Sequence, residues 1–297
     1  MEHIQQFKNS MMDAGFMPPN EIVIDGKIHR FSTNNHCTDN AGWYVLHAGR
    51  FLAGCFGDWR SGKTSNWCAK PKDQMSLTER VENLRLIAKA REQRNQFIKQ
   101  QQKLALSKAQ YLWDLAIPAL DCHPYLQKKR ISPFNVRQRG DMLLLPIVNF
   151  EGELQSLQFI DPTGCKRLLS GGAKKGHFIL VNGVLGNGSL CICEGFATGA
   201  SIAAASPDKC VIAAIDAGNL EPVALGARRR WPHLEILICA DDDRLTPDNP
   251  GLTKARHAAI AAGASYTSPL WPDDAPDSLT DFNDLANWIA SRIKRKA

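Results

Sequence analysis

Leu190-Cys191-Ile192-Cys193-Glu194-Gly195 is the stretch that decides the fold, and Ile236-Leu237-Ile238-Cys239-Ala240-Asp241-Asp242-Asp243 completes its meaning. Each is a short apolar run, the length of a strand buried on both faces, that ends on acidic residues. Around them the pattern alternates: strand 190–193, helix 196–205, strand 210–215, helix near 220–230, strand 235–240, helix 253–262. That spacing predicts a parallel sheet with helices on both faces, whose ligands collect at the carboxyl ends of the strands. Both acidic groups fall at those ends. Carboxylates gathered there repel one another unless a cation sits between them, and for oxygen ligands Mg²⁺ (or Mn²⁺) is the expected ion. Taken singly, each acid reads equally as a turn former or a helix cap.

Upstream, residues 142–148 and 154–160 flank Asn149-Phe150-Glu151-Gly152-Glu153 as a β-hairpin, and Lys166 to Val181 reads as a second hairpin-like stretch turning at Gly171-Gly172. Residues 22–72 read as short strands and turns. There Trp43, Tyr44, Phe51, Phe56, Trp59 and Trp67 lie among Arg50, Arg60, Lys63, Lys70 and Lys72. The mixture suits stacking on unpaired bases with phosphate contacts alongside, although each aromatic alone also reads as core. Pro71-Lys72-Asp73 breaks this pattern, and Ser76 with Glu79 forms a capping-box signature for a long helix to about Leu106. Helical character resumes from Leu112 to Leu120, interrupted at Pro118. Gly57-Asp58-Trp59-Arg60-Ser61-Gly62-Lys63-Thr64 fits a phosphate-binding loop literally, but no apolar helix pattern follows, so it reads as a glycine turn.

The chain has 297 residues and a net charge of +6, enough for two compact units. Between Glu79 and Lys108 eight Lys/Arg stand against three acids, and Lys128-Lys129-Arg130, Arg137-Gln138-Arg139 and Lys174-Lys175 extend the basic surface. A basic surface beside a separate acidic pocket is the layout of an enzyme that builds or cuts nucleic acid. For the 79–108 segment alone, a solvated helix face is the equal alternative. Nine cysteines include no Cys-x-x-Cys pair, and Cys191 and Cys193 are expected to face opposite ways. Reduced thiols, no signal segment and no apolar span give a cytoplasmic, membrane-free expectation.

The order strand-Glu-Gly-helix, then strand-Asp-x-Asp-helix, resembles the Toprim domain of bacterial-type primases, type IA and II topoisomerases and some nucleases. Cys193-Glu194-Gly195-Phe196-Ala197-Thr198-Gly199, Asp216-Ala217-Gly218-Asn219-Leu220, Asp281-Phe282-Asn283-Asp284-Leu285 and the block from Leu145-Pro146-Ile147 through Lys166-Arg167-Leu168-Leu169-Ser170-Gly171-Gly172 are similar to Toprim primases and primase-helicases of phages, plasmids and other mobile elements. The resemblance implies a Toprim-like parallel sheet flanked by helices, preceded by a basic mixed α+β subdomain and a small β-rich N-terminal domain. The corresponding divisions are residues 1–75 (template binding), 76–130 (helical connector), 131–187 (basic subdomain) and 188–297 (catalytic).

It further implies metal-dependent primer synthesis from ribonucleoside triphosphates on single-stranded DNA. Glu194, Asp241 and Asp243 would hold the metal, with Asp281 and Asp284 as a third acidic patch that also reads as a helix cap. Lys166 would stand near the triphosphate, and Arg137, Arg139, Lys174, Lys175, Asp216 and Asn219 would bind nucleotide or template. Relatives of this kind carry a zinc ribbon, but Cys37, Cys55 and Cys68 with His29, His36 and His47 lack its spacing, so no zinc is expected. The chain stops without a helicase motor, so a replicative helicase would be a separate partner. A Toprim nuclease and a non-catalytic nucleic-acid-binding module stay open as alternatives, while 297 residues leave little room for a topoisomerase gate.

Overall fold

The computed structural model describes residues 2–33, 40–49, 51–59, 61–70 and 72–296. The zinc-ligand candidates His36 and Cys37, the basic Arg50 and Arg60, and Pro71 lie outside them. The chain forms two units, Met1–Gln100 and Gln101–Ala297. Among the described residues no helix is long and apolar enough to cross a membrane.

The first unit is a four-stranded antiparallel sheet in sequence order: β1 (His29–Phe31), β2 (Gly42–His47), β3 (Ala53–Asp58) and β4 (Thr64–Cys68). Side chains alternate across it. Tyr44, Leu46 and Phe56 pack with Phe7 and Met11 of α1 (Glu2–Asp13), while Trp43, Val45 and Cys55 pack with Ala90 of α2 (Leu77–Asp114). The phosphate-loop look-alike is the turn between β3 and β4, closed by the Gly62 N–H on the Asp58 carbonyl at 2.9 Å. A strand follows it where a nucleotide-binding loop needs a helix.

The capping box at α2 is real. Ser76 Oγ accepts from the Glu79 N–H at 3.3 Å, and Glu79 Oε2 accepts from the Ser76 N–H at 2.9 Å and from Lys70 Nζ at 2.7 Å. Two expectations downstream are corrected: α2 does not stop near Leu106, and Leu112 to Leu120 is not a further helix. Residues 77–114 contain neither Gly nor Pro, so nothing halts the helix before Asp114, and Pro118 lies in the two-residue strand β5 (Ile117–Pro118).

The second unit has two sheets. The first is antiparallel, in the order β5, β6 (Arg137–Arg139), β7 (Met142–Val148), β8 (Leu154–Ile160), β9 (Lys166–Leu168), and its β7–β8 hairpin is the one expected. The stretch from Lys166 to Val181 is not a hairpin. β9 pairs with β8, whereas β10 (Ile179–Asn182) pairs with a strand of the other sheet, so the intervening chain crosses between sheets. Gly172 serves that crossing by close approach: a Cβ there would lie 1.9 Å from Ser156 Oγ.

The other sheet runs β10, β12 (Cys210–Ala213), β11 (Leu190–Cys193), β13 (Ile236–Cys239), β14 (Ser265–Thr267), parallel except for β10. One face packs against α4 (Phe196–Ala205), and the other against α5 (Leu220–Arg230) and α6 (Pro250–Ala262); the short α3 (Pro124–Lys129) precedes β6. Helix α7 (Phe282–Lys296) packs beside α4. Buried alanines such as Ala200, Ala224, Ala227, Ala255 and Ala259 let the helices lie close on the strands. Cys191 and Cys193 lie in the same core layer with Cys239, not on opposite faces, because residues two apart in a strand share a side.

Candidate active site

From β11 the chain passes through α4 to β12 on one side, then through α5 to β13 on the other. This reversal opens a crevice at the carboxyl ends of β11 and β13. Cys193 pairs with Cys239, so Glu194 and Asp241 leave adjacent strands side by side. Beyond β12, Ile215 has a φ of 80°, a conformation a β-branched residue adopts only under strain, and it swings the chain into Asp216.

The carboxylates feel one another. Burial, followed by repulsion from Glu194, Asp281 and Asp243, pushes the Asp241 carboxyl up to about 8. Burial also raises Glu194, against a hydrogen bond from the Ala217 N–H, with Asp216 and Asp243 adding repulsion. Among the described residues Asp241 Oδ1 is buried without a hydrogen-bond partner. Among the described residues no three acids are drawn together tightly enough to form a finished metal cluster. The donor set nonetheless fits a hard divalent cation: oxygen ligands only, concentrated negative charge, and a buried carboxylate oxygen awaiting a positive partner.

Asp243 is held by its surroundings. Its Oδ2 accepts from the Gly251 N–H at 2.9 Å and its own N–H donates to Asn249 Oδ1 at 2.8 Å, placing it at the start of α6. A Cβ on Gly251 would come within 2.7 Å of the Asp241 carbonyl and 2.9 Å of Asp243 Oδ2. Neither Asn249 nor Gly251 was among the sequence candidates, although Asn-Pro-Gly just after an acidic strand end is a legible helix start. Asp242 joins a network the sequence does not reveal: Oδ2 accepts from Trp271 Nε1 at 2.8 Å and Oδ1 from Asn249 Nδ2 at 2.7 Å. Its N–H donates to the Thr280 carbonyl at 2.6 Å, which ties the strand end to the segment carrying Asp281. Asp281 Oδ1 accepts from the Asp284 N–H at 2.8 Å while its charge still reaches Asp241. That bond makes Asp281 the N-cap of α7, and Asp284, in the first turn, reaches back to accept from the Thr280 N–H at 3.1 Å and lies 3.8 Å from Lys129 Nζ.

Lys166 stands over the acids: its Nζ is 3.7 Å from where a Gly195 Cβ would be, and its charge lowers both Glu194 and Asp241. Lys174 Nζ pairs with Asp216 at 2.6 Å, and Lys175 is exposed. Asn219 is buried and fully engaged: Nδ2 donates to the carbonyls of Lys174, His177 and Ala214, and Oδ1 accepts from the Gly176 N–H. These bonds pin the loop that carries Lys174 and Lys175. Arg137 is likewise occupied, stacked 4.5 Å from the Trp113 ring centroid and donating to the Trp113 carbonyl at 2.7 Å, while Arg139 is exposed.

A family profile described as Toprim domain matches residues 189–288. Two sequences from Escherichia coli, both called DNA primase TraC, are 31% and 30% identical to the chain over 84% and 95% of it. The chain spans only 24% and 20% of their lengths. Among solved structures, the primase fragment of the bacteriophage T7 primase-helicase protein is 15% identical, with a TM-score of 0.42 over 58% of this chain and 72% of that one. The DnaG primase catalytic domain bound to ssDNA is 13% identical, with a TM-score of 0.43 over 66% and 80%. Residues 189–288 are thus a Toprim domain, and the chain that carries them is homologous to the plasmid-type DNA primase TraC.

Proposed function

We propose that the chain is a primase: it joins ribonucleoside triphosphates into short primers along single-stranded DNA. The observation that supports this reading is that Glu194 and Asp241 leave adjacent strand ends, with the charges of Asp243 and Lys166 reaching both. The name shared by the two relatives supports it.

Mg²⁺ or Mn²⁺ held by Glu194, Asp241 and Asp243 would supply Lewis-acid activation of the attacking hydroxyl and charge neutralisation at the phosphates. The chain's own groups do the positioning. Lys166 offers an exposed cation at the edge of the acidic site, suited to the phosphates of an incoming nucleotide. Lys174, released from Asp216 by exchange, and the exposed Lys175 and Arg139 add phosphate contacts. Asn219 keeps the lysine loop in place, and the Asp242 network holds Asp281 toward the acids. A separate replicative helicase would expose the template, and residues 1–75 would hold it.

Labelled ribonucleotide incorporation on single-stranded DNA, with and without Mg²⁺, tests the reading. Short labelled oligomers that depend on both template and metal are expected, and Asp241→Ala should abolish them with template affinity nearly unchanged. Shortened template without incorporation would instead mark a nuclease. Binding with neither product would mark a non-catalytic module.

A further inference from the structure

Helix α2 covers the middle of the first unit's sheet and leaves its β4 side open. Among the described residues β4 pairs with β3 alone, so its outer edge offers unpaired backbone groups. Asn66 and Cys68 share the face of Cys55, the face that α2 covers, because Asn66 lies opposite Cys55 in the register. Between them and the helix runs a groove of about 820 Å³, with Leu84, Ile87 and Ala88 as an apolar wall and Lys70, Arg91 and Asn95 around it.

At its floor sits Asn83. The residue is 3% exposed, its Nδ2 reaches the Met75 sulfur at 3.9 Å, and among the described residues its Oδ1 has no hydrogen-bond partner. A buried carbonyl oxygen without a donor is left at a cost, so a group bringing an N–H gains from seating there. Leu84 and Arg91, both exposed, can change rotamer to admit it. A backbone phosphodiester is excluded as the partner of this atom, because it carries no proton to donate. Every nucleobase carries an N–H on its pairing edge.

Charge selects the strand that carries the base. From Trp59 to Lys99 ten Lys/Arg face four acids. An apolar wall, an amide acceptor at its foot and the Arg91 guanidinium beside them suit an unpaired base on a single strand.

We propose that the groove between β4 and α2 holds an unpaired base of single-stranded DNA, with Asn83 Oδ1 accepting from the base edge and Arg91 meeting the adjoining phosphate. This rests on the nucleic-acid reading above and assigns it a template site outside the acidic centre.

Fluorescence anisotropy of the full chain, with a labelled 16-mer and its abasic counterpart, tests it. Wild type is expected to prefer the base-bearing strand by about tenfold, the scale of one seated base. Asn83→Leu, of similar volume, should erase that preference, and Arg91→Ala should weaken both strands alike. Equal binding of the two strands by wild type, or a folded Asn83→Leu that keeps the preference, overturns the proposal. Should Asn83→Leu fail to melt cooperatively, the exposed double change Asn66→Ala with Arg91→Ala carries the same test, and unaltered affinity for both strands overturns it. Ribonucleotide incorporation is measured in parallel. Its loss with the base preference intact defeats the primase reading and leaves this one standing.

Discussion

At the residue scale, Asp241 sets the pH behaviour of the metal-free protein. Its folded value of about 8 lies above the 3.8 of an unfolded aspartate, so the folded state holds the proton that the unfolded state gives up. Stability is therefore whole below about pH 4, falls as pH rises toward 8 and levels beyond that. Asp241→Asn removes the ionisation: in divalent-free buffer it should melt several degrees above wild type at pH 8.5 and near it at pH 5. Melting curves across that range, repeated with Mn²⁺, check this; the ion should stabilise wild type and leave the variant unmoved. Gly251→Ala acts by sterics. The new Cβ forces α6 away from Asp241 and Asp243, with an expected cost of about 1 to 3 kcal/mol in denaturant unfolding and at least about a tenfold loss of synthesis. Asp242→Ala leaves the three acids and the backbone bond to Thr280 in place but frees Trp271 Nε1 and Asn249 Nδ2. Its turnover should drop while nucleotide KM changes little, which separates positioning from binding.

At the scale of elements, helix starts were the most legible feature. Ser76 and Glu79 announced α2 by their spacing, and the reciprocal hydrogen bonds are in place. Ser76→Ala should cost about 1 kcal/mol in urea titration, the usual worth of an N-cap. The Glu79 carboxyl is lowered to about 2, first by Lys70 and then by the Ser76 N–H, so its contribution is present above about pH 4.5 and is lost as pH falls through 2. Strand partners were less legible. The β7–β8 hairpin was readable because two apolar runs flank a short turn, whereas Lys166 to Val181 offers two similar runs that belong to different sheets. Alternation of side chains records that a residue is in a strand; the identity of its neighbour depends on chain distant in sequence.

For the whole molecule, charge separation is the organising property: acids at the carboxyl ends of β11 and β13, bases along α2 and the lysine loop. Replacing Lys99, Lys103 and Lys108 with serine should flatten the salt dependence of single-strand binding by about 0.7 in log–log slope for each phosphate that is no longer neutralised. An unchanged slope would mean that this stretch of helix only faces solvent. The sequence by itself determined the alternation of strands and helices, the place of the acids at strand ends and the positive balance of the segment after residue 59, because these follow from local periodicity and composition. Only the tertiary structure decided which acids feel one another, that Asp281 caps α7 while its charge still reaches Asp241, that Asn219 pins its own loop and that Asn83, among the described residues, lies buried without a donor. Those outcomes depend on which backbone groups arrive beside each side chain, and the arriving groups come from elements up to scores of residues away.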